Sequence, residues 1–434
     1  MLKVLVFSRT AWKRDNSFGN TYSNWFSQLE DVRVAHICLA DGLPFGEHNV
    51  DCYYQVSEKT LAKSVFKKHR LDNAVGKEVY PIEPVNNASN IDMSFFGRLV
   101  SYCKVHRLPL FFLLREAIWK YGNINYLDMK SFIERFSPDV VFMPMYYAGY
   151  VDRVAINVLK SMKIPIVLEA AIDVYTLKQL SFDPFFWINR FYVRHMTRQI
   201  CKESEMLYVI SDKMKADYRR LLNIPIKVIY KFPDLSRSHY SYREVFNPVR
   251  YLYTGNLGSG RWNSLSLLVK ALKETGHGVL DIYTSTPLSN KARVLLNVEG
   301  ISTVHSPISQ AQVIELQNSS DVLVHVESFE LKNKLEVRFS ISTKIMDYIS
   351  VGRCILAIGP SDIASMMYLK SNNLAYTVNN KEELSRVVKE LNTSNNAILD
   401  CAKRNSEYMY GINSDELRNR FKQDLIDASK MIIN

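Results

Sequence analysis

The chain has 434 residues, about three times the usual length of one domain, which excludes a small disulfide-stapled module and favours two substantial domains. Hydrophobic residues make up 47% of the sequence and charged residues 23%, a composition that excludes a largely disordered chain. The net charge is +11, and residues 1–235 carry +8 of it. This excess indicates an anionic partner without choosing among nucleic acid, a membrane surface and a phosphorylated small molecule.

The cysteines and the N-terminus indicate the compartment. The cysteines are far apart, with no C-x-x-C pair and no histidine cluster at zinc spacing, so we expect reduced, mostly buried thiols. Residues 2–8 predict a strand and not a signal-peptide core, and the longest apolar run, 108–114, is far shorter than the roughly 20 residues that span a bilayer. We therefore expect a cytoplasmic protein without a transmembrane helix. The six cysteines are Cys38, Cys52, Cys103, Cys201, Cys354 and Cys401.

Short apolar runs bounded by turn residues alternate with stretches of helical period, a pattern typical of parallel α/β sheets. In the first half the predicted strands are 2–8, 32–39, 138–144, 164–170, 206–211 and 227–232. In the second half they are 250–255, 278–285, 302–306, 321–326, 353–359 and 375–378. The two sets predict two Rossmann-like domains, each with its own sheet between helices.

A short polar stretch at 232–238 separates the two sets of strands. We therefore predict a first domain over 1–235, a second over 236–410, and a helix over 411–434. Ser414 is suited to cap this last helix, whose apolar side must bury against another surface. The apolar positions on that side are Leu417, Phe421, Leu425, Ala428 and Ile432.

Two segments of the first half combine basic and apolar side chains. Lysines recur four residues apart within 59–70, and residues 94–120 interleave basic with aromatic side chains around a single acid, Glu116. Such helices suit an anionic membrane surface, and the same pattern fits core-packed helices with a solvated basic face. No nucleic-acid-binding signature accompanies the charge, so we expect no nucleic-acid partner.

Residues 251–262 predict a strand, a glycine-rich turn and the start of a helix. Gly255 and Gly258 allow a ligand to approach the backbone closely, and Arg261 offers a fork of donors to a phosphate. The spacing matches neither the dinucleotide fingerprint nor the P-loop. The segment also fits a turn that binds nothing.

Residues 338–359 predict a second helix start followed by a buried strand. Ser340 or Ser342 can cap the helix, Lys344 adds a positive charge, and Asp347 lies one turn further along the same face, where a carboxylate can hold ribose hydroxyls. Gly352 is suited to end the helix. An ordinary capped helix with a surface Lys–Asp pair has the same features.

Together, these segments make residues 250–380 resemble the donor-binding domain of retaining GT-B glycosyltransferases, in particular the bacterial group 1 or family 4 enzymes of polysaccharide and lipopolysaccharide synthesis. A Ser-Thr-Lys sequence, an acid-Tyr pair and a glycine at 342–352 match the family's later signature. The resemblance implies an α/β GT-B fold, in which two Rossmann-like domains face each other across a cleft. The first domain binds the acceptor, and the C-terminal helix crosses back onto it.

The resemblance also implies a donor site. Arg261 and Lys344 would neutralise the diphosphate, and Asp347 would bind the ribose. The other implied donor contacts are Gly19 below the sugar-phosphate, Gly255, Asn256 and Gly258 in the glycine-rich turn, His305 and Ile308 around the base, and Ser342 and Thr343 at the helix start.

The sequence departs from the family pattern near the expected chemistry. Asn256 stands where many members have Arg, and Asp347 replaces a Glu. Phe339 lies where the family has the first Glu of its E-x7-E motif, and Ile172 replaces a His.

Asp173 and Glu169 are the carboxylates that the resemblance places near the reacting sugar. They fit equally well as turn or helix-start carboxylates without chemistry. No D-x-D motif is present, so we expect no metal, and the leaving diphosphate would be stabilised by Arg261, Lys344 and helix N-termini instead.

The resemblance implies transfer of a sugar, with retention, from a nucleotide-diphosphate sugar to a hydroxyl of a glycan linked to polyprenyl diphosphate. No cofactor is expected, and the protein would sit peripherally on the inner face of the cell membrane. Two alternatives remain open. A GT-B nucleotide-sugar epimerase would need clustered carboxylates and histidine, and a non-catalytic partner subunit is favoured by Ile172 and Phe339.

Overall fold

The computed structural model describes residues 1–13, 16–44, 50–65, 71–79, 109–232 and 244–431. The chain forms two compact units, Met1–Lys231 with Glu416–Asn434, and Phe232–Asp415. Each unit has its own sheet, so the predicted α/β class with two Rossmann-like domains is confirmed. Of the predicted basic segments, residues 66–70 and 94–108 lie outside the described residues.

The sheet of the first unit has eight strands in the order β4-β3-β2-β1-β5-β6-β7-β8, and only β3 and β4 pair antiparallel. The interior strands are buried on both faces, which is why they appear in the sequence as continuous apolar runs. The strands are β1 (Leu2–Ser8), β2 (Val32–Cys38), β3 (Cys52–Gln55), β4 (Lys77–Val79), β5 (Val140–Pro144), β6 (Ile166–Ala170), β7 (Met206–Val209) and β8 (Ile226–Val228).

Helices connect these strands, and side chains cap several of them. Asn16 accepts the N–H of Gly19 at the start of the first helix, and Ser211 accepts that of Met214 at the start of the seventh. The helices are α1 (Ser17–Phe26), α2 (Glu58–Ser64), α3 (Pro109–Tyr121), α4 (Tyr126–Phe136), α5 (Gly149–Leu159), α6 (Pro184–Lys202) and α7 (Asp212–Arg219), with a 3₁₀ turn at Leu71–Asn73.

All twelve predicted strands are present, with ends that differ by up to four residues. The sequence reasoning missed β3 and β4 at the edge of the first sheet. β4 has three residues, two of them exposed, and β3 has four, so neither carries the long apolar run that marks a buried strand.

The C-terminal helix α16 (Ser414–Ser429) packs on the first unit from Glu416 onward, as the resemblance implied. Asp424 accepts hydrogen bonds from Tyr208 and Lys227, each at 2.6 Å. Leu417 was expected on the buried side but is 37% exposed, and Ile432 lies outside the described residues. The ring of Phe421 lies between 5.4 and 6.1 Å from those of Trp25, Phe26, Phe142 and Tyr208.

The sheet of the second unit has six parallel strands in the order β11-β10-β9-β12-β13-β14. Its strands are β9 (Val249–Thr254), β10 (Gly278–Tyr283), β11 (Ser302–His305), β12 (Val322–Val326), β13 (Cys354–Ile358) and β14 (Tyr376–Val378). Its helices are α8 (Arg261–Thr275), α9 (Asn290–Leu296), α10 (Gln310–Ser319), α11 (Leu331–Val337), α12 (Thr343–Val351), α13 (Ala364–Ser371), α14 (Lys381–Thr393) and α15 (Asn395–Tyr410).

Two further expectations concern local chemistry. Gly352 ends α12 in the left-handed conformation, as predicted. The five cysteines among the described residues are free thiols, and four of them are buried.

No helix in the described part of the chain is long and apolar enough to cross a bilayer.

Candidate functional site

The strand order of the second sheet changes direction at β9, and this point locates the candidate site. β10 and β11 lie on one side of β9, whereas β12, β13 and β14 lie on the other. β9 and β12 pair only at Tyr251↔Val322 and Leu252↔Leu323, and the pairing stops before either strand ends. In open parallel sheets, ligands bind in the crevice that forms at such a point, beyond the carboxyl ends of the strands.

An ion pair joins the two segments that follow β9 and β12. The guanidinium of Arg261 donates to both carboxylate oxygens of Glu327, over 3.0 and 3.3 Å. The side chain of Glu327 is 7% exposed and that of Arg261 is 22% exposed. Because a buried carboxylate needs a cation, this bidentate pair fixes the guanidinium at the carboxyl edge of the sheet.

Lys344 reaches the same edge from α12. Its Nζ donates to the carbonyl of Thr254 at 3.0 Å and lies 4.8 Å from the ring centre of Tyr253. Gly255 has a φ of 140°, and a Cβ on it would lie 2.3 Å from the Lys344 Nζ. Glycine is therefore required at 255, both for its backbone conformation and for the space that the ammonium occupies.

The charges at this edge perturb one another. Burial and the nearby Arg261 lower the pKa of Lys344 to about 8, while Glu327 acts in the opposite direction. Burial, Lys344 and Arg261 lower the pKa of His325 to about 3, so this imidazole is neutral. Burial raises the pKa of Glu327 against the influence of Arg261. The carboxylate of Glu327 thus compensates the positive charge of one of two neighbouring cations, Arg261 and Lys344.

The glycine-rich turn uses its own polar groups. The N–H of Gly255 donates to the carbonyl of Tyr283, so this residue offers space at the site, and its N–H does not supply the expected ligand contact. The N–H of Gly258 donates to the side chain of the exposed Asn256 at 2.6 Å. Gly260 begins α8 with a φ of 75° and provides no side-chain cap.

The start of α12 places three of the predicted donor residues. Ser342 is the N-cap, but its side chain makes no capping hydrogen bond. Thr343 and Lys344 form the first turn, and Asp347 one turn later favours the charged form of Lys344. The structure therefore brings Gly255, Arg261, Lys344 and Asp347 into one electrostatic neighbourhood.

His305 and Ile308 lie in and after β11, the strand at one edge of the second sheet. His305 ends β11, stacks on Tyr283 with ring centres 4.4 Å apart, and pairs through Nε2 with Asp281 at 2.7 Å. Ile308 lies in the loop after β11 and is half-buried. The His305 ring is two-thirds covered, which leaves part of its edge facing solvent.

Glu327 is the residue of this site that the sequence reasoning missed. The family pattern directed attention to position 339, where the structure has a buried Phe. The available signal was a carboxylate immediately after the predicted strand 321–326. Glu327 belongs to the site because β12 lies next to β9. This pairing joins segments that are far apart in the sequence.

In the first unit, Gly19 and Glu169 lie near helix α1. The N–H of Gly19 donates to Asn16, and a Cβ on Gly19 would lie 2.0 Å from the carbonyl oxygen of Lys13, so a close backbone approach requires this glycine. Glu169 is buried at the end of β6, where the Tyr22 hydroxyl donates to it at 3.3 Å. Burial raises the pKa of Glu169 to about 7.

Asp173 is also buried, but its carboxylate has many partners. Arg190 lies 3.3 Å from it, and both side chains are 1% exposed. The carboxylate holds the loop that follows β6 to α6 and α7. A role for Asp173 toward a sugar stays a prediction, because its oxygens already accept from the backbone of Tyr175 and Thr176 and from the side chains of Thr176, Gln179 and Tyr218.

Within the described ranges, no three His, Cys, Asp or Glu side chains are grouped to hold a metal ion. Independence of a metal stays a prediction.

Comparison with solved structures identifies the fold as that of the GT-B glycosyltransferases. The E. coli trehalose-6-phosphate protein bound with UDP-2-fluoro glucose matches with a TM-score of 0.58 at 10% identity, over 100% of both chains. WaaG, a glycosyltransferase involved in lipopolysaccharide biosynthesis, matches with 0.56 at 13% identity, also over 100% of both. Sucrose-phosphate synthase from Thermosynechococcus elongatus matches with 0.60 at 8% identity, over 98% of both.

Neither a protein-family model nor a curated protein sequence matches the chain. At 8–13% identity the structural likeness concerns the fold.

Glu169 should make the stability of the protein depend on pH. Its pKa is about 7 in the folded state and has its ordinary value near 4.5 when unfolded, so the folded state binds more protons between these values. Stability is therefore lost as the pH rises through 7. As the pH rises from 4 to 9, we expect the free energy of unfolding of Glu169→Gln to increase by about 3 kcal/mol relative to that of the wild type.

Urea unfolding at a series of pH values, followed by tryptophan fluorescence, measures this difference. Glu134→Gln on α4 is the matched control, since Glu134 is exposed and should leave the pH profile unchanged. Parallel profiles for Glu169→Gln and the wild type would show that Glu169 is ionised in the folded protein at neutral pH.

Proposed function

We propose that the protein is a glycosyltransferase that binds a nucleotide-diphosphate sugar at the carboxyl edge of the second sheet. The GT-B fold supports this assignment, since the E. coli protein of the same fold carries UDP-2-fluoro glucose. The stronger support is local. Two cations, Arg261 and Lys344, lie at the point where β9 and β12 part, and the carboxylate of Glu327 compensates one of them.

A diphosphate is the ligand that this charge pattern suits best. Arg261 is oriented by Glu327 and retains donors for phosphate oxygens, because a guanidinium has five N–H groups and Glu327 uses two of them. Lys344 adds a second, compact charge whose hydrogen-bond partner is a neutral carbonyl. Burial and repulsion by Arg261 lower the pKa of Lys344, and a bound diphosphate would act against both by favouring the charged amine.

The same two groups would act in the reaction. When the glycosidic bond to the donor phosphate breaks, negative charge develops on the leaving diphosphate. We assign the stabilisation of that charge to Arg261 and Lys344, without a metal ion. Asp347 is assigned to the ribose, and His305 with Ile308 to the base, whose specificity depends on the shape of that loop.

The acceptor assignment belongs to the first unit. We assign retention of the anomeric configuration and a glycan hydroxyl on a polyprenyl-diphosphate carrier, in cell-surface polysaccharide synthesis. WaaG, a lipopolysaccharide enzyme of the same fold, is consistent with that substrate class. Glu169, with a pKa of about 7, is the carboxylate best suited to exchange a proton near neutral pH, whereas Asp173 acts by holding its loop.

The nucleotide site is tested by binding of UDP and GDP. We expect one of them to raise the melting temperature of the wild type. Arg261→Ala and Lys344→Ala should each weaken that binding about 10- to 100-fold, because each removes a charge-assisted contact to phosphate. Differential scanning fluorimetry and calorimetric titration measure the two effects.

Matched controls lie in the same unit. Arg293→Ala on α9 and Lys270→Ala on α8 remove exposed basic residues and should leave nucleotide affinity unchanged. Equal losses of nucleotide affinity in all four variants would show that the net charge of the protein, and not a local site, governs binding. The absence of any shift with either nucleotide in the wild type would refute the donor site.

Lys344 should make nucleotide affinity fall at alkaline pH. Its pKa is about 8 in the free protein, and a bound diphosphate must raise it, so binding takes up a proton when Lys344 is neutral. Phosphate is fully ionised above pH 7 and adds no dependence of its own. We expect affinity to fall about five-fold from pH 8 to pH 9.

Lys344→Arg provides the control, because a guanidinium stays charged over this range. Its affinity should be independent of pH between 7 and 9. Isothermal titration calorimetry in two buffers of different ionisation enthalpy counts the protons directly. Identical pH profiles for the wild type and Lys344→Arg would assign the titration to another group.

Product analysis tests the transfer reaction. With a nucleotide sugar and a polyprenyl-diphosphate-linked glycan, we expect a glycoside with the anomeric configuration of the donor, measured by the proton coupling constant in NMR spectra. EDTA should leave the rate unchanged. An inverted product would overturn retention, and conversion of the nucleotide sugar without an acceptor would identify an epimerase instead.

A further inference from the structure

Helix α6 has apolar side chains on two opposite sides, and the protein covers only one of them. Val193, Met196 and Ile200 lie on the buried side. On the solvent side, Ile188 is 54% and Phe191 is 56% exposed. Phe185, one turn earlier, is 41% exposed. Exposed residues at this spacing form a stripe along the helix and not a scatter of single side chains.

The loop that leads into α6 extends this apolar surface. Phe182 is 96% exposed, so its ring has almost no contact with the rest of the protein. Leu177 and Leu180 in the same loop are about 40% exposed. Asp183 caps α6 by accepting the N–H of Phe185, which fixes the loop and the helix start relative to each other. We call Phe182, Phe185, Ile188 and Phe191 the α6 face.

Basic residues continue the stripe toward the end of the helix. His195, Arg198 and Lys202 are exposed at the next positions of the same side. No acidic residue lies between Pro184 and Lys202. The solvent side of α6 therefore runs from an apolar half to a basic half.

The adjacent helix adds to the exposed apolar area. α3 packs against α6 and exposes Leu110 and Leu114. The sequence pattern in 94–120 left open whether its basic residues face a membrane or solvent, and Arg115 does neither. Arg115 is 13% exposed and donates to Glu58, so its charge is satisfied inside the unit.

We propose that the α6 face docks on an anionic phospholipid surface. The side chains of an interfacial helix insert about 5–10 Å, to the boundary between headgroups and acyl chains, while its basic residues meet the anionic headgroups. The exposed apolar side chains of Phe185, Ile188 and Phe191, which follow one another at intervals of about one helical turn, suit that depth. The charge complementarity of His195, Arg198 and Lys202 selects anionic over neutral lipid.

A second copy of the chain fits this surface less well. In a two-fold contact, the same patch meets itself. Two α6 helices would then bring like charges from Arg198 and Lys202 together in a chain that already carries +11. A lipid surface supplies the opposite charge without this cost. The inference does not depend on the donor chemistry, and nucleotide binding can fail or succeed independently of it.

Vesicle co-sedimentation of the full chain tests the proposal. We expect binding to vesicles of phosphatidylcholine with 30% phosphatidylglycerol, little binding to pure phosphatidylcholine, and weaker binding at 0.5 M than at 0.1 M salt. The triple variant F182S/F185S/F191S should bind at least ten-fold more weakly. Lys202→Gln should lower the affinity about five-fold.

Each variant has a matched control. Leu127→Ser removes an exposed apolar side chain from α4, and Arg219→Gln removes an exposed basic residue from α7 of the same unit. Both should bind as the wild type does. Unchanged nucleotide-induced thermal shifts or, failing those, unchanged melting curves show that the triple variant is folded.

Trp187 reports where the lipid lies. Its ring is 5.2 Å from that of Phe186 and 6.3 Å from that of Phe191, whereas Trp12, Trp25 and Trp119 are fully buried. In a Trp262→Phe background, brominated lipids should therefore quench the fluorescence of Trp187 when the protein is bound. The triple variant should lose this quenching.

Three results would overturn the proposal. One is equal binding of the wild type and the triple variant to anionic vesicles. Another is binding without quenching of Trp187, which would place the contact elsewhere on the chain. The third is failure to bind vesicles together with a dimer that the triple variant abolishes, which would make a second copy the occupant.

Discussion

The arrangement of charges at the carboxyl edge of the second sheet depends on the buried ion pair between Arg261 and Glu327. It crosses the point where β9 and β12 stop pairing, so it joins two segments that the sheet itself no longer holds together. Its geometry is bidentate, which fixes the plane of the guanidinium as well as its position. Lys344 then lies beside an already compensated cation, and the remaining positive charge is concentrated at the carboxyl edge of the sheet.

The buried carboxylates of the protein have two kinds of surroundings. Glu327 faces one guanidinium, and Asp173 faces another together with several neutral donors, so both are held in one orientation. The carboxylate of Glu169 accepts a hydrogen bond from the Tyr22 hydroxyl at 3.3 Å, and burial brings its pKa to about 7. A carboxylate saturated with donors stabilises a loop. One with a single weak donor can change its protonation state near neutral pH, and such a group is suited to proton exchange.

Much of the fold could be predicted because it depends on local sequence patterns. Twelve of the strands, the glycine that ends α12 and the lysine of its first turn depend on residues close in sequence. β3 and β4 escaped because short edge strands carry no apolar run. Glu327 escaped for another reason. Its role follows from β12 lying beside β9, and strand order is set by contacts between segments more than 60 residues apart.

The position of helix α6 shows a second limit of sequence patterns. The stripe with Val193, Met196 and Ile200 and the stripe with Phe185, Ile188 and Phe191 are both apolar, so periodicity alone cannot say which side is buried. The small polar residues decide it in the fold: Asn189 and Thr197 go inward, and Arg190 goes inward because Asp173 neutralises it. With Arg190 turned inward, Phe185, Ile188 and Phe191 stay exposed. The ion pair that holds the loop after β6 is thereby compatible with an exposed apolar stripe on α6.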